Sequence, residues 1–296
     1  MNNKFPWKEL ELNKFITSDK AVCYYHFQPS LKKYKNTIVM LLAWNMSPDV
    51  FSPLLLTNEK IKKYYNVYIF VLRGYIKGVD YGNNITRCTM DLREFIKSRK
   101  LNNFIILGHS IGNAILWNYL MNYGQKLIHK FILIDEMTRI LKNPANSKKE
   151  NLDYGSITPT NQIFDAYNTL IKGNLESFNY RNNSILSQFS DNFKLNNPHI
   201  IKKILKKVNL YTYDSSANIL YSNQATDWIE QLLHKNIKIP TYLFGGEKSV
   251  VPYQSIQYQK KFYLDSEIHI FTGPNSSHFA FIENYELFNE LLNKFL

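Results

Sequence analysis

The sequence predicts a doubly wound α/β fold with a helical insertion, on three observations. Six short runs are almost continuously apolar and bounded by polar residues or glycine: Asn36 to Trp44, Val67 to Leu72, Asn103 to Leu107, Lys130 to Ile134, Thr241 to Phe244 and Ile268 to Phe271. That is the pattern of strands covered on both faces, hence of a parallel sheet. Stretches of helical length alternate with them, and right-handed crossovers then lay the helices on both faces of the sheet. Finally, the long segment between Ile134 and Thr241 has no strand run and breaks the alternation, which marks an insertion.

Taken in order, Leu12 to Thr17 and Ala21 to Gln28 are rich in β-branched and aromatic residues and flank Ser18-Asp19-Lys20, so they read as a hairpin ahead of the parallel strands. Helices are expected over Phe51 to Tyr65, Thr86 to Ser98, Ile111 to Tyr123, Pro252 to Tyr263 and Phe279 to Leu296. In the second of these, Met90, Leu92, Phe95 and Ile96 supply the three- and four-residue spacings of one apolar face. Within the insertion, His199 to Val208 places Ile200, Ile201, Ile204, Leu205 and Val208 on one face and Lys202, Lys203, Lys206 and Lys207 on the other. Residues 1–137 and 235–296 are therefore expected to form the α/β core, and residues 138–234 a helical cap over the C-terminal edge of the sheet, where open α/β sheets bind ligands.

Composition narrows the class. With 45% hydrophobic and 20% charged residues, the 296-residue chain can bury a sizeable core, which excludes wholesale disorder, and it shows no internal repeat. The net charge of +12 invites a nucleic-acid or anionic-membrane reading, but the excess is scattered lysine without a helix-turn-helix, RNA-binding or zinc pattern, and a solvated surface is expected. Cys23 and Cys88 are too few for a disulfide framework, so a reducing compartment and no metal site are expected. The first fifteen residues lack a signal-peptide core, and no run reaches the roughly 18 apolar residues of a membrane span, so the expected location is the cytoplasm, without stable membrane insertion.

The chemistry is concentrated in Gly108-His109-Ser110-Ile111-Gly112, a G-x-S-x-G motif with an apolar run before it and a helical stretch after it. In that context a serine sits on a tight strand-to-helix turn, and the flanking glycines leave room where side chains would clash with neighbouring backbone. The turn lifts Ser110 clear of the sheet and places the Ile111 N–H at a helix N-terminus, where it can donate to a developing oxyanion. A serine hydroxyl is a poor nucleophile near neutral pH, and needs an adjacent base oriented by a carboxylate. Of seven histidines, His278 lies just after the last strand run and before the last helix, where it can reach the serine.

These residues resemble the α/β-hydrolase family, in its branch of esterases and cofactor-free haloperoxidases with a helical cap. Leu41 to Ser47 is similar to the L-H-G-W-P-x-S run that follows the family's third strand, with Leu42-Ala43 in place of His-Gly. The resemblance implies a second oxyanion N–H at Trp44, with Asn45 as the fallback. Arg73-Gly74-Tyr75, followed by Ile76-Lys77, resembles the family's R-G-x-G turn and is read as architecture. Asn275 to Glu283 resembles its S-H-x-x-x-x-E segment and gives His278 the role of base. The family's acid usually follows the seventh strand, but Gly245 to Pro252 carries Ser249 at that place, leaving Glu247 as one candidate. The other is Asp135, directly after the sixth strand, where a minority of the family keeps its acid, and it is preferred.

The expected activity is therefore hydrolysis of a carboxylic ester, thioester or lactone through an acyl-enzyme on Ser110, with His278 as base, Asp135 or Glu247 as acid, and Trp44 and Ile111 holding the oxyanion. No metal or organic cofactor is expected, and the partner is a small ester-like substrate with an apolar acyl or aryl group, not nucleic acid. Phe164, Tyr167, Phe178, Tyr180, Phe189, Phe193, Tyr211 and Tyr213 suggest that pocket, or equally the cap's own core. A non-catalytic small-molecule-binding protein, a C–C bond hydrolase and a perhydrolase are the alternatives on this fold.

Overall fold

The computed structural model describes residues 5–33, 36–76, 79 and 81–296. Eight strands form one sheet: β1 (Asn13–Ile16), β2 (Val22–Gln28), β3 (Asn36–Leu41), β4 (Tyr65–Val71), β5 (Phe104–His109), β6 (Ile128–Ile134), β7 (Thr241–Gly246) and β8 (Ser266–Phe271). Their order is β1-β2-β4-β3-β5-β6-β7-β8. The first two strands are an antiparallel hairpin, β2 runs antiparallel to β4, and every later pairing is parallel. The apolar runs inside the sheet are covered on both faces, with all six residues of β5 and all six of β7 buried, whereas the run Ile268 to Phe271, expected to be covered likewise, lies on the edge strand β8, of which only Phe271 is buried.

Three expected helices are shorter or broken, each for a local reason. The stretch from Phe51 to Tyr65 begins as a 3₁₀ turn over Pro48–Phe51, continues as a helix over Ser52–Thr57, and restarts over Glu59–Tyr64. Asn58 interrupts it with extended backbone (φ −86°, ψ 98°), and its side chain accepts the Ile61 N–H as a fresh N-cap. Asn284 splits the last helix into Ala280–Glu283 and Tyr285–Phe295, and Lys260–Phe262 tightens to 3₁₀ after the helix Tyr253–Gln259. The helices Ile85–Ser98 and Ile111–Tyr123 agree closely with expectation.

Between β6 and β7 the chain is helical, its longer pieces being Thr160–Ile171, Leu175–Leu186, Pro198–Val208 and Tyr213–Gln224. The lysine-rich helix buries Ile200, Ile201, Ile204 and Val208, while Lys207 pairs with Glu9 at 3.0 Å and Lys202, Lys203 and Lys206 are exposed, as a solvated face should be. The turn at Arg73-Gly74 is structural: the Arg73 guanidinium is fully buried and meets Asp91 through two 2.6 Å hydrogen bonds. Lys77, which follows that turn, lies outside the described residues. Among the described residues no helix is long and apolar enough to cross a membrane.

Candidate active site

The C-terminal ends of β3, β5 and β6 and the loops after β7 and β8 converge on one cavity of about 290 Å³, which Trp44, Ser110, Ile111, Glu136 and His278 all border. Ser110 stands between β5 and the helix Ile111–Tyr123 with φ 54° and ψ −128°, a sharp turn in the left-handed region for a non-glycine residue. Neighbouring strands hold that turn in place. The Ser110 N–H donates to the Ile134 carbonyl at 2.9 Å, and Asn113 Nδ2 donates to the same oxygen at 2.9 Å. Glycine is required on both sides, since a Cβ at 108 would lie 2.2 Å from Asn113 Oδ1 and one at 112 would lie 2.9 Å from the Leu41 carbonyl oxygen.

His278 is 3% exposed, and its Nδ1 lies 2.7 Å from Asp135 Oδ2, a contact made across 143 residues of chain. His109, from the elbow, packs its ring 4.7 Å from that of His278 and donates its Nε2–H to the His278 carbonyl at 2.9 Å. Burial first, and the neighbouring His278 second, push the His109 pKa well below the usual imidazole range, so this ring is a neutral prop for the His278 backbone. Phe189 of the insertion stacks on Phe279 at 4.1 Å and 3° and covers the same loop.

Asp135 also has a left-handed backbone (φ 51°), which turns the chain at the end of β6, and its carboxylate is 2% exposed. Besides His278, Oδ2 accepts from the Ser249 hydroxyl and Oδ1 accepts from the Gly246 N–H at 3.2 Å. Ser249 is thus not a missing acid; it donates to the carboxylate that meets the histidine. Glu247, the other candidate, is exposed, and only its backbone N–H is tied down, to the Phe271 carbonyl at 2.9 Å. It does not approach His278, because β7 pairs with β8 through Gly246 and carries the next side chain out to solvent.

Trp44 and Ile111 both border the cavity. Ile111 is the first residue of its helix, so its N–H has no intrahelical acceptor, and the Trp44 N–H has no partner among the described residues. The loop lacks the His-Gly pair of its resemblance, and the insertion supplies the support instead. Ser216 accepts Trp44 Nε1–H on its carbonyl at 2.8 Å and donates its hydroxyl to Asn45 Oδ1 at 2.9 Å, where Asn45 has φ 57°. Ser110 Oγ makes no hydrogen bond among the described residues. A nucleophile–base hydrogen bond is commonly long or poorly aligned before substrate binds and tightens only in the complex.

Of the eight aromatic residues offered as a pocket, Tyr180 alone borders this cavity. Phe189, Phe193 and Tyr211 are buried as packing between insertion and core, and Phe164 and Phe178 are largely exposed. Aliphatic side chains line the cavity instead, among them Met137, Ile140, Leu220 and Val251.

Sequence reasoning passes over Glu136, which is 4% exposed and borders the cavity. The available signal was a second carboxylate directly after a buried apolar run. Burial is the main cause that pushes its pKa from 4.5 up to about 7. The native state therefore binds a proton that the unfolded chain has already released between these values, and the associated stability, complete below 4.5, is lost as pH rises through about 7. Glu136→Gln removes this titration. The stability of the parent is expected to fall by about 3 kcal/mol more than that of the variant between about pH 4.5 and pH 8, read from urea unfolding of both proteins. Parallel stability–pH curves would show that Glu136 is already ionised in the folded protein.

A family model described as the alpha/beta hydrolase fold matches residues 36–285. The AB hydrolase superfamily protein YisY of Bacillus subtilis is 26% identical over 270 residues, covering 87% of this chain and 90% of that protein. Among solved structures, a bromoperoxidase from Bacillus anthracis superposes with a TM-score of 0.81 at 18% identity, covering 97% of this chain and 99% of that one. The esterase EaEST from Exiguobacterium antarcticum gives 0.80 at 18% identity, covering 95% and 98%. With the elbow, the strand order and a family match over most of its length, this chain belongs to the α/β-hydrolase family.

Proposed function

We propose that this protein is a serine hydrolase that cleaves a carboxylic ester, thioester or lactone. The observation that carries the reading is the convergence of Ser110, on its strained elbow, and the His278–Asp135 pair on one cavity. His278 Nε2 takes the Ser110 proton as Oγ attacks the carbonyl carbon, and the Ile111 and Trp44 N–H groups receive the oxyanion. Collapse of the tetrahedral intermediate expels the alcohol or thiol, which takes the proton from His278. Water, deprotonated by the same imidazole, then attacks the acyl-enzyme and releases the acid. Asp135 holds the His278 tautomer and stabilises the imidazolium, with Ser249 and the Gly246 N–H fixing the carboxylate.

Residues 138–234 serve as the cap, a division supported by the cavity lining, which takes Ile157, Tyr180, Gln188 and Asn223 from the insertion. The esterases among the structural neighbours support ester chemistry, as does an enol-lactonase from Burkholderia xenovorans. Two free, buried cysteines suit a cytoplasmic setting.

A fluorophosphonate probe tests the assignment. Incubation with the native protein is expected to give a single stable adduct, located by peptide mass spectrometry on Ser110 and absent from heat-unfolded protein. If the folded protein takes no probe, this site is a ligand pocket and not a serine hydrolase.

A further inference from the structure

Glu136 is the charged group in the cavity that the acyl-transfer reading leaves without a task. It follows Asp135 directly but has its own partners: Oε1 accepts from the Met137 N–H at 2.8 Å and Oε2 from Asn223 Nδ2–H at 3.3 Å. Its backbone carbonyl is pinned by Gln259 Nε2–H at 2.6 Å. A carboxylate offers about four lone-pair positions, so acceptor capacity remains, and one of the two bonds present is long. Beside Asn223, Gln224 also borders the cavity, and its Oε1 is buried without a partner among the described residues. The cavity therefore presents acceptors that lack donors.

The surrounding charge points the same way. Although the chain carries +12 overall, no lysine or arginine among the described residues lines the cavity. Among the described residues no ion pair reaches Glu136; its nearest charged company is Asp135 and His278. A buried carboxylate with no cation is costly, which is why burial raises its pKa to about 7. An anionic substrate would add repulsion, whereas a cation would supply the missing partner. Ile140, Ile157, Leu220 and Val251 are among the side chains that line this cavity of about 290 Å³, which Glu136 and Ser110 both border, so it offers apolar surface to a short aliphatic spacer.

We propose that Glu136, with Gln224 on the same cavity, is a subsite for a protonated amine, and that the preferred substrates are esters carrying an ammonium group on a short aliphatic spacer. The inference rests on the acyl-transfer reading of Ser110. Two isosteric pairs test it, one for each side of the ester: p-nitrophenyl 4-(dimethylamino)butanoate against p-nitrophenyl 5-methylhexanoate, and 2-(dimethylamino)ethyl butanoate against 3-methylbutyl butanoate. In at least one pair the amine is expected to win by about tenfold or more in kcat/KM, the scale of one charge-assisted hydrogen bond. In Glu136→Gln that ratio falls to within about twofold of unity, and because each ratio is taken within one protein, a general loss of activity cancels.

Should Glu136→Gln fail to fold, Gln224→Leu serves in its place, with the ratio expected to fall at least about threefold. Ratios near unity for both pairs in the native enzyme, or a ratio that survives the substitution, overturn the subsite. A Ser110 adduct together with ratios near unity removes the subsite and leaves the hydrolase standing. If no ester turns over and no adduct forms, the hydrolase reading fails. The subsite is then decided by calorimetry with 2-(dimethylamino)ethanol and 3-methylbutanol, where equal binding overturns it and tighter binding of the amine upholds it.

Discussion

Ser110→Ala is expected to lower kcat by about 10⁴- to 10⁶-fold on any ester the native protein hydrolyses, with KM little changed. The size follows from the mechanism, because without Oγ no acyl-enzyme forms and only the oxyanion donors and substrate binding remain. The structure makes the experiment clean. Ser110 Oγ makes no hydrogen bond among the described residues, so alanine removes no structural contact, and the turn is fixed by the Ser110 N–H, Asn113 and Gly112, which the substitution leaves in place. The melting temperature should move by no more than about 2 °C, a shift that corresponds to no more than about 1 kcal/mol for a chain of this size. Steady-state kinetics beside thermal unfolding reads both quantities. A turnover loss below about tenfold in a folded variant would mean that another group attacks the substrate.

What the sequence discloses about this fold and site divides along a physical line. Strands buried on both faces must be apolar at nearly every position, so β3 to β7 stand out from their own residues more than the edge strand β8, and the elbow does so because two glycines are demanded by contacts at 2.2 and 2.9 Å. The breaks at Asn58 and Asn284 are less legible, since one residue decides each against an otherwise continuous apolar periodicity, Asn58 by a side-chain cap and Asn284 by its backbone (φ −120°, ψ 45°) without one. The choice between Asp135 and Glu247 depends on a contact spanning 143 residues, and no local pattern reports which of two carboxylates a distant imidazole meets. Ser249 is partly legible: as a residue type it shows that the usual position carries no acid, but only its place in the fold shows that it donates to the Asp135 carboxylate. The cap aromatics mislead differently, because burial between insertion and core and burial around a ligand demand the same side chains.

Asp135→Asn is expected to lower kcat by about 10⁴-fold, while Glu247→Gln leaves it within about twofold. Asparagine at 135 can present its amide N–H to His278 Nδ1, which selects the tautomer carrying its proton on Nε2; that nitrogen then cannot accept from Ser110. It also removes the negative charge that stabilises the imidazolium. Glu247 is exposed and can do neither. A second substitution separates geometry from charge: in Asp135→Asn/Ser249→Asp a carboxylate returns to the loop after β7. Ser249 Oγ already hydrogen-bonds the same Oδ2 that meets His278 Nδ1, and it accepts the Val251 N–H at 3.0 Å, so an aspartate there keeps a backbone donor and starts one hydrogen bond away from the position that meets the imidazole. Recovery of at least about tenfold in kcat over Asp135→Asn alone is expected, measured on one ester under identical conditions. If instead Glu247→Gln is dead and Asp135→Asn active, the acid acts from the β7 loop. Asp135 is then only the carboxylate that holds that loop, through Ser249 and Gly246, against the end of β6.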